Sequence, residues 1–231
     1  MYTTALEFAK LAHHGQKRLS GEPYINHPLA VAETLKSWHL DETTVVAGLL
    51  HDTVEDGGAT REDLVKEFGE EVAQLVDGVT KVTEIRLTGQ VEENFVESLR
   101  KMLLVMARDL RVIFIKLADR IHNLQTLQYL DRQSQIDNAR ETLEVYAPLA
   151  ERLGMGEIKS QLEDLSLPYA YPEEYAKLQK QSRGSYHRDL VYSDKIKQEL
   201  DLTLSPRIPS VQINVRRKHL YSLWRKLQRP E

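Results

Sequence analysis

The sequence predicts a mainly α protein, a helical bundle followed by a short C-terminal α/β fragment. Three observations lead there. Apolar residues recur at helical spacing along most of the 231 residues, helix breakers stand between those runs, and only one late segment alternates as a strand does. Charged residues make up 29% and hydrophobic residues 41%, enough apolar material for a buried core.

The elements follow in order. Ala5, Phe8, Ala9 and Ala12 share one face of a first helix, which Gly15 and the run Ser20-Gly-Glu-Pro23 break. Pro28 reads as the first residue of a second helix carrying Leu29, Ala32 and Leu35 on one side. Asp41 is the expected N-cap of a third, from Glu42 to about Val54, ended by Gly57-Gly58. Thr60 with Asp63 forms an acidic capping box for a short helix. Further helices are expected over Glu70–Val82, Asn94–Ala107, Leu110–Leu127 and Gln133–Arg152, with Ile85–Glu92 as a loop. Val112-Ile-Phe-Ile115 is apolar on every side and continues without a breaker, so it reads as a helix inside the bundle rather than a strand. After Gly154, Pro168 and Pro172 punctuate the chain, Glu173–Ser182 and Asp194–Leu202 are helical, Ser205–Pro209 is a linker, and Val211–Arg216 has strand period.

Composition narrows the function. The net charge of −4 argues against a general nucleic-acid clamp. The absence of cysteine excludes disulfides and thiolate metal sites and leaves histidine and carboxylate as candidate ligands. No apolar run is long enough to span a membrane, and Met1–Gly15 lacks the features of a signal peptide, so a cytoplasmic protein is expected.

The most informative element is His51-Asp-Thr-Val-Glu-Asp56, directly after the apolar run Val45–Leu50. One histidine and three acids beside a buried run are costly to leave unpaired, and a cation resolves that cost. Read as helix, His51 and Glu55 are one turn apart, as are Asp52 and Asp56. A cation can then take His51 and Asp52 while Glu55 and Asp56 face substrate or water. The alternative is a solvated helix end, although acids at a helix C-terminus oppose the macrodipole. Asp119, Asn123 and Thr126 share a polar face on the buried helix, which fits either a site or a satisfied hydrogen-bond network. His27, alone at a helix start, fits either a ligand or a structural role.

Together these residues resemble a known family. His27, His51-Asp52 and the distant Asp119 are similar to the ligand set of HD-domain phosphohydrolases. Four longer segments resemble the hydrolase domain of RelA/SpoT homologues in the family's order. They are Gly15-Gln-Lys-Arg-Leu-Ser-Gly-Glu-Pro-Tyr-Ile-Asn-His-Pro28, the intact His51–Asp56 motif, Lys116-Leu-Ala-Asp-Arg-Ile-His-Asn-Leu-Gln-Thr-Leu127 and Tyr146-Ala-Pro-Leu-Ala-Glu-Arg-Leu-Gly154. They span roughly residues 5–175.

The resemblance implies an HD-domain helical bundle that holds one Mn2+ through His27, His51, Asp52 and Asp119, with Glu55 and Asp56 as the catalytic acids. It implies Arg18 on the guanine, Asn123 and Thr126 on the nucleoside, and Lys17, Ser20, Glu22 and Tyr24 in the same loop. The implied reaction removes the 3′-pyrophosphate of ppGpp or pppGpp, giving GDP or GTP, and so degrades a stringent-response alarmone. Mn2+ suits histidine, carboxylate and phosphate ligands and makes water a usable nucleophile near neutral pH. Glu55 and Asp56 would orient that water or accept its proton, and Lys17 and Arg18 would offset substrate charge. Leu19 departs from the pattern, since many relatives have a second basic residue there; Gln125 stands where arginine is common, and no function is read from it.

Two alternatives are an HD phosphohydrolase acting on another nucleotide and a non-catalytic nucleotide-binding regulatory domain. The segment around Arg18 favours guanine alarmones, and the intact His51–Asp56 motif favours catalysis. The resemblance divides the chain into a hydrolase domain at 1–175, a helical connector at 176–205, and at 206–231 the start of a synthetase-like domain, where Arg217–Leu227 resembles that domain's opening. Because the sequence ends at Glu231, alarmone synthesis is not expected of it. The expected partner is a small nucleotide, with no membrane and no nucleic acid, and the oligomeric state is left open.

Overall fold

The computed structural model describes residues 1–84, 100, 104, 108–182, 185–206, 208, 211–213 and 219–228. Twelve α-helices lie among them: α1 (Tyr2–Ala12), α2 (Asn26–Ser37), α3 (Glu42–Leu50), α4 (Arg61–Phe68), α5 (Glu70–Glu84), α6 (Arg111–Gln125), α7 (Arg132–Glu141), α8 (Ala147–Arg152), α9 (Gly156–Ala170), α10 (Pro172–Ser182), α11 (Ser185–Leu204) and α12 (Leu220–Leu227). None of the described helices is long and apolar enough to cross a membrane.

α3 is the axis of the bundle. Every residue from Thr44 to Leu50 is buried, because α1, α2, α5 and α6 pack around it. Such all-round burial needs a helix that is apolar on every face, which Val45-Val-Ala-Gly-Leu-Leu50 supplies. Gly48 lets Leu35 of α2 approach the α3 backbone more closely than a side chain would allow. Asp41 caps α3 as expected, accepting from the Thr44 N–H at 3.0 Å, and the Thr60/Asp63 capping box is formed. α6 crosses α2, α3 and α5 and also meets α9, which packs in turn on α7, α8 and α12.

Several boundaries differ from the sequence reading. α2 begins two residues before Pro28, at Asn26. Pro28 is then the third helical residue, where its missing N–H still has no intrahelical partner to lose. α3 stops at Leu50 rather than near Val54, and residues 51–56 run on as turns. The Leu50 carbonyl accepts from both the Thr53 hydroxyl (2.7 Å) and the Thr53 N–H (3.0 Å), which tightens the chain out of α-helical register. Gly57 then lies against the Thr53 carbonyl and Ala12, with no room for a Cβ. The helix expected over Gln133–Arg152 is split by a π-turn at Thr142–Tyr146. Pro148 cannot donate to the carbonyl one turn back, and the wider turn absorbs that loss.

Pro168 lies inside α9 rather than ending it, whereas Pro172 opens α10. The helix read over Asp194–Leu202 lies within the longer α11. Of the strand expected over Val211–Arg216, Val211–Ile213 are irregular, with no strand to pair them among the described residues, and 214–216 lie outside those residues. The loop expected over Ile85–Glu92 lies outside the described residues. So does the helix expected over Asn94–Ala107, apart from Arg100 and Leu104, which are helical.

Leu35 is fully buried between α2 and α3. Leu35→Ala is expected to lower the unfolding free energy by about 2–5 kcal/mol, read from urea denaturation.

Candidate metal centre and adjoining cavity

Three helices deliver the polar cluster. His27 is the second residue of α2, His51 follows α3 directly, and Asp119 lies in the middle of α6. All three are buried, and one ligand atom from each lies within 4.8 Å of the others. His27 Nε2 is 3.3 Å from Asp119 Oδ1 and 3.4 Å from Asp52 Oδ2. His51 Nε2 is 3.0 Å from Asp52 Oδ1 and 3.9 Å from Asp119 Oδ1. The four residues that the resemblance implies as ligands therefore meet at one point.

Hydrogen bonds behind the rings fix what those nitrogens present. His51 Nδ1 lies 2.8 Å from the Gly48 carbonyl, which only accepts, so Nδ1 carries a proton and Nε2 is the nitrogen turned to the cluster. That Nε2 is buried and has no hydrogen-bond partner. On the other side, the Arg18 guanidinium approaches His122 Nδ1 at 2.9 Å. A guanidinium only donates, so His122 Nδ1 must accept. His27 Nδ1, 2.8 Å from the same atom, is then the donor, and His27 Nε2 presents a lone pair. Burial pushes His27 below the ordinary histidine range, and burial with His27 and Arg18 nearby pushes His122 down to about 4, so both rings are neutral. With the His27 and His51 rings both in the neutral form, two lone pairs would face carboxylate oxygens at these distances. A cation resolves that contact, and histidine with carboxylate is a donor set that divalent transition ions accept.

The surrounding groups tune the carboxylates. Burial alone would raise Asp119, but the buried Lys116 ammonium, 2.6 Å from Oδ2, holds it well below the usual carboxylate range. Lys116 also donates to the Thr83 hydroxyl at 3.0 Å, and Asn123 Nδ2 donates to Asp119 Oδ1 at 2.5 Å. The Tyr24 hydroxyl lies 2.9 Å from Asp52 Oδ2 and 2.8 Å from Asp56 Oδ2, and its ring stacks on His13. Burial and these two carboxylates push the phenol up, so it remains a donor. The Asp56 carbonyl accepts from Gln16 Nε2 at 2.6 Å, which ties the loop after α1 to the turn after α3. Burial raises the Glu55 carboxyl, as does the Asp52 charge, against the neighbouring Thr80 hydroxyl and Lys116. Glu55 and Asp56 stand on the solvent side of the cluster, in turns rather than on a helix face.

Beside the cluster lies a cavity of about 220 Å3 whose lining includes Arg18, Ser20, Asn123 and Thr126. Leu19 and Tyr129 form exposed apolar parts of its wall. Lys17 is exposed and is not part of that lining; its backbone forms a bridge with Pro23. Arg18 spans the two features, with one guanidinium nitrogen on His122 and the other 2.7 Å from Asn123 Oδ1. A larger space, about 580 Å3, is lined by residues of α8, α9 and α12 and shares none with the cluster. The sequence reading assigned no role to Lys116 or His122. Their spacing from Asp119, three residues to either side on α6, is the signal that would have found them.

Residues 5–156 match the HD domain family. The chain is 45% identical over 232 residues to a GTP pyrophosphokinase of Myxococcus xanthus, covering 97% of this chain and 30% of that protein. It is 45% identical over 222 residues to a guanosine-3′,5′-bis(diphosphate) 3′-pyrophosphohydrolase of Haemophilus influenzae, covering 95% of this chain and 32% of that protein. It therefore spans about a third of the length of these relatives. The solved structure of a metazoan ortholog of SpoT that hydrolyzes ppGpp superposes with a TM-score of 0.54 at 28% identity, covering 71% of this chain and 92% of that one.

His51→Ala is expected to weaken divalent-cation binding by more than the roughly 10–100-fold that losing an outer-shell partner costs, measured by calorimetric titration with helicity unchanged.

Proposed function

The chain belongs to the HD-domain family, and from that premise we propose that it hydrolyses the 3′-pyrophosphate of ppGpp or pppGpp, releasing pyrophosphate and GDP or GTP. The observation that carries this reading is the joining of a histidine–carboxylate cluster to an adjoining cavity of about 220 Å3 through Arg18 and Asn123. The relatives named as 3′-pyrophosphohydrolases and the ppGpp-hydrolysing SpoT ortholog support it.

In this reading His27, His51, Asp52 and Asp119 hold one Mn2+, which when bound neutralises phosphoryl charge and makes water more acidic. Glu55 and Asp56 orient the water and take its proton as a pair. The raised Glu55 carboxyl suits that exchange. The water oxygen bonds to the phosphorus attached to the 3′-oxygen. The P–O bond to the ribose breaks, and the 3′-oxygen leaves as a hydroxyl after gaining a proton. Tyr24 holds Asp52 and Asp56 in register, and Lys116 fixes Asp119. Arg18, Ser20, Asn123 and Thr126 hold the nucleoside, and Lys17 meets substrate charge from the solvent side.

We assign the hydrolase to 1–175, the connector to 176–205 and the start of a synthetase-like domain to 206–231. The activity belongs to alarmone degradation in the cytoplasm.

Pyrophosphate release from ppGpp with Mn2+ tests the reading. Glu55→Gln is expected to slow release by roughly 10²–10⁴-fold, and Asp52→Ala to abolish it. An absence of release from the parent chain with Mn2+ bound would reject the alarmone as substrate.

A further inference from the structure

The chain's own hydrogen bonds run from the cavity to the metal cluster along two arms, both starting at Arg18. One nitrogen of its guanidinium reaches His122, which meets His27; the other reaches Asn123, which meets Asp119. Each arm ends on a candidate metal ligand after a single intervening side chain. The Asn123 arm is saturated without conflict, because its amide accepts on oxygen and donates through nitrogen. The His122 arm is not. Two donors, Arg18 and His27 Nδ1–H, converge on the one lone pair of His122 Nδ1.

We propose that His122 is a positioning residue. It fixes His27 in the tautomer that presents Nε2 to the ion, and through it Arg18 couples filling of the cavity to the strength of the metal centre. The physical reason is competition for one acceptor. While Arg18 rests on His122, the lone pair is shared and the His27 N–H bond is weakened. When Arg18 turns to a ligand in the cavity, the whole lone pair goes to His27. A stronger bond from Nδ1–H makes the opposite nitrogen more electron-rich, and a more basic imidazole is a better ligand. Cavity occupancy and ion binding therefore favour each other, and by linkage the effect is reciprocal. The 4.8 Å between the His27 and His122 ring centroids and their tilt of 43° exclude face-to-face stacking as the basis of the contact, leaving the nitrogen–nitrogen bond.

The inference rests on the metal centre described above and not on the identity of the substrate, so its test uses Mn2+ alone. Mn2+ is titrated into the full chain without nucleotide, followed by calorimetry, with far-UV circular dichroism as the folding control. His122→Phe keeps a ring but has no acceptor and is expected to bind Mn2+ about 10–100-fold more weakly. His122→Asn places an amide oxygen near the position of Nδ1 and is expected to restore most of that loss. Arg18→Ala removes the competing donor and is expected to bind Mn2+ at least as tightly as the parent. Equal affinity for His122→Phe and the parent would overturn the proposal. So would failure of His122→Asn to improve on His122→Phe, since ring packing rather than an acceptor would then be at work. A loss in Arg18→Ala as large as that in His122→Phe would overturn the coupling. A parent chain that binds no Mn2+ would overturn the metal centre itself, and this proposal with it.

Discussion

Two imidazole nitrogens and the oxygens of two carboxylates meet at a largely buried point. Most of the bundle serves to hold that contact. The Gly48 carbonyl sets the His51 ring from within α3, and α3 is held rigid by burial on all sides. His27 comes from the first turn of α2 and Asp119 from the middle of α6, two of the four helices packed on α3. Groups that would repel one another in isolation stay together because apolar packing, worth about 25 cal/mol per Å2 removed from water, sets the helices in place regardless of what they carry at the centre.

The turn after α3 gives the site its asymmetry. Had α3 continued to Val54, His51 and Glu55 would lie above one another on a single helix strip. The Thr53 hydroxyl and N–H capture the Leu50 carbonyl instead, and the chain turns. Asp52 then sits against both histidines while Asp56 is drawn to Tyr24. The protein thereby separates carboxylates that touch the cluster from carboxylates that stand toward solvent, within five consecutive residues.

Much of the fold was legible in the sequence, and the reasons are local. Asp41 and Thr60/Asp63 are capping signals whose hydrogen bonds form within three residues, so they were readable without tertiary information. The apolar run before His51 declared its own burial. What escaped depended on partners far away in sequence. Arg18 meets His122 and Asn123 across more than a hundred residues. Tyr24 reaches across to Asp52 and Asp56 from the loop before α2, a contact that no periodicity encodes. Thr53 was readable in principle but was outweighed by the helical pattern on either side. The alternation over Val211–Arg216 does not become a strand at Val211–Ile213, because alternation by itself supplies no ladder to pair with.

Lys116 has a consequence of a different kind. Its ammonium is a cation that never leaves, buried beside Asp119 and bonded to it at 2.6 Å. One oxygen of that carboxylate is committed to lysine, so a single oxygen remains for an exchangeable ion. More broadly, the charge that would make an ion-free cluster ruinous to bury is already half cancelled by the polypeptide itself. Such a chain would fold first and take up an ion afterwards, as a reagent added to a finished vessel rather than a staple that closes it. Chelation would then silence such a centre while leaving its walls standing, ready to be recharged.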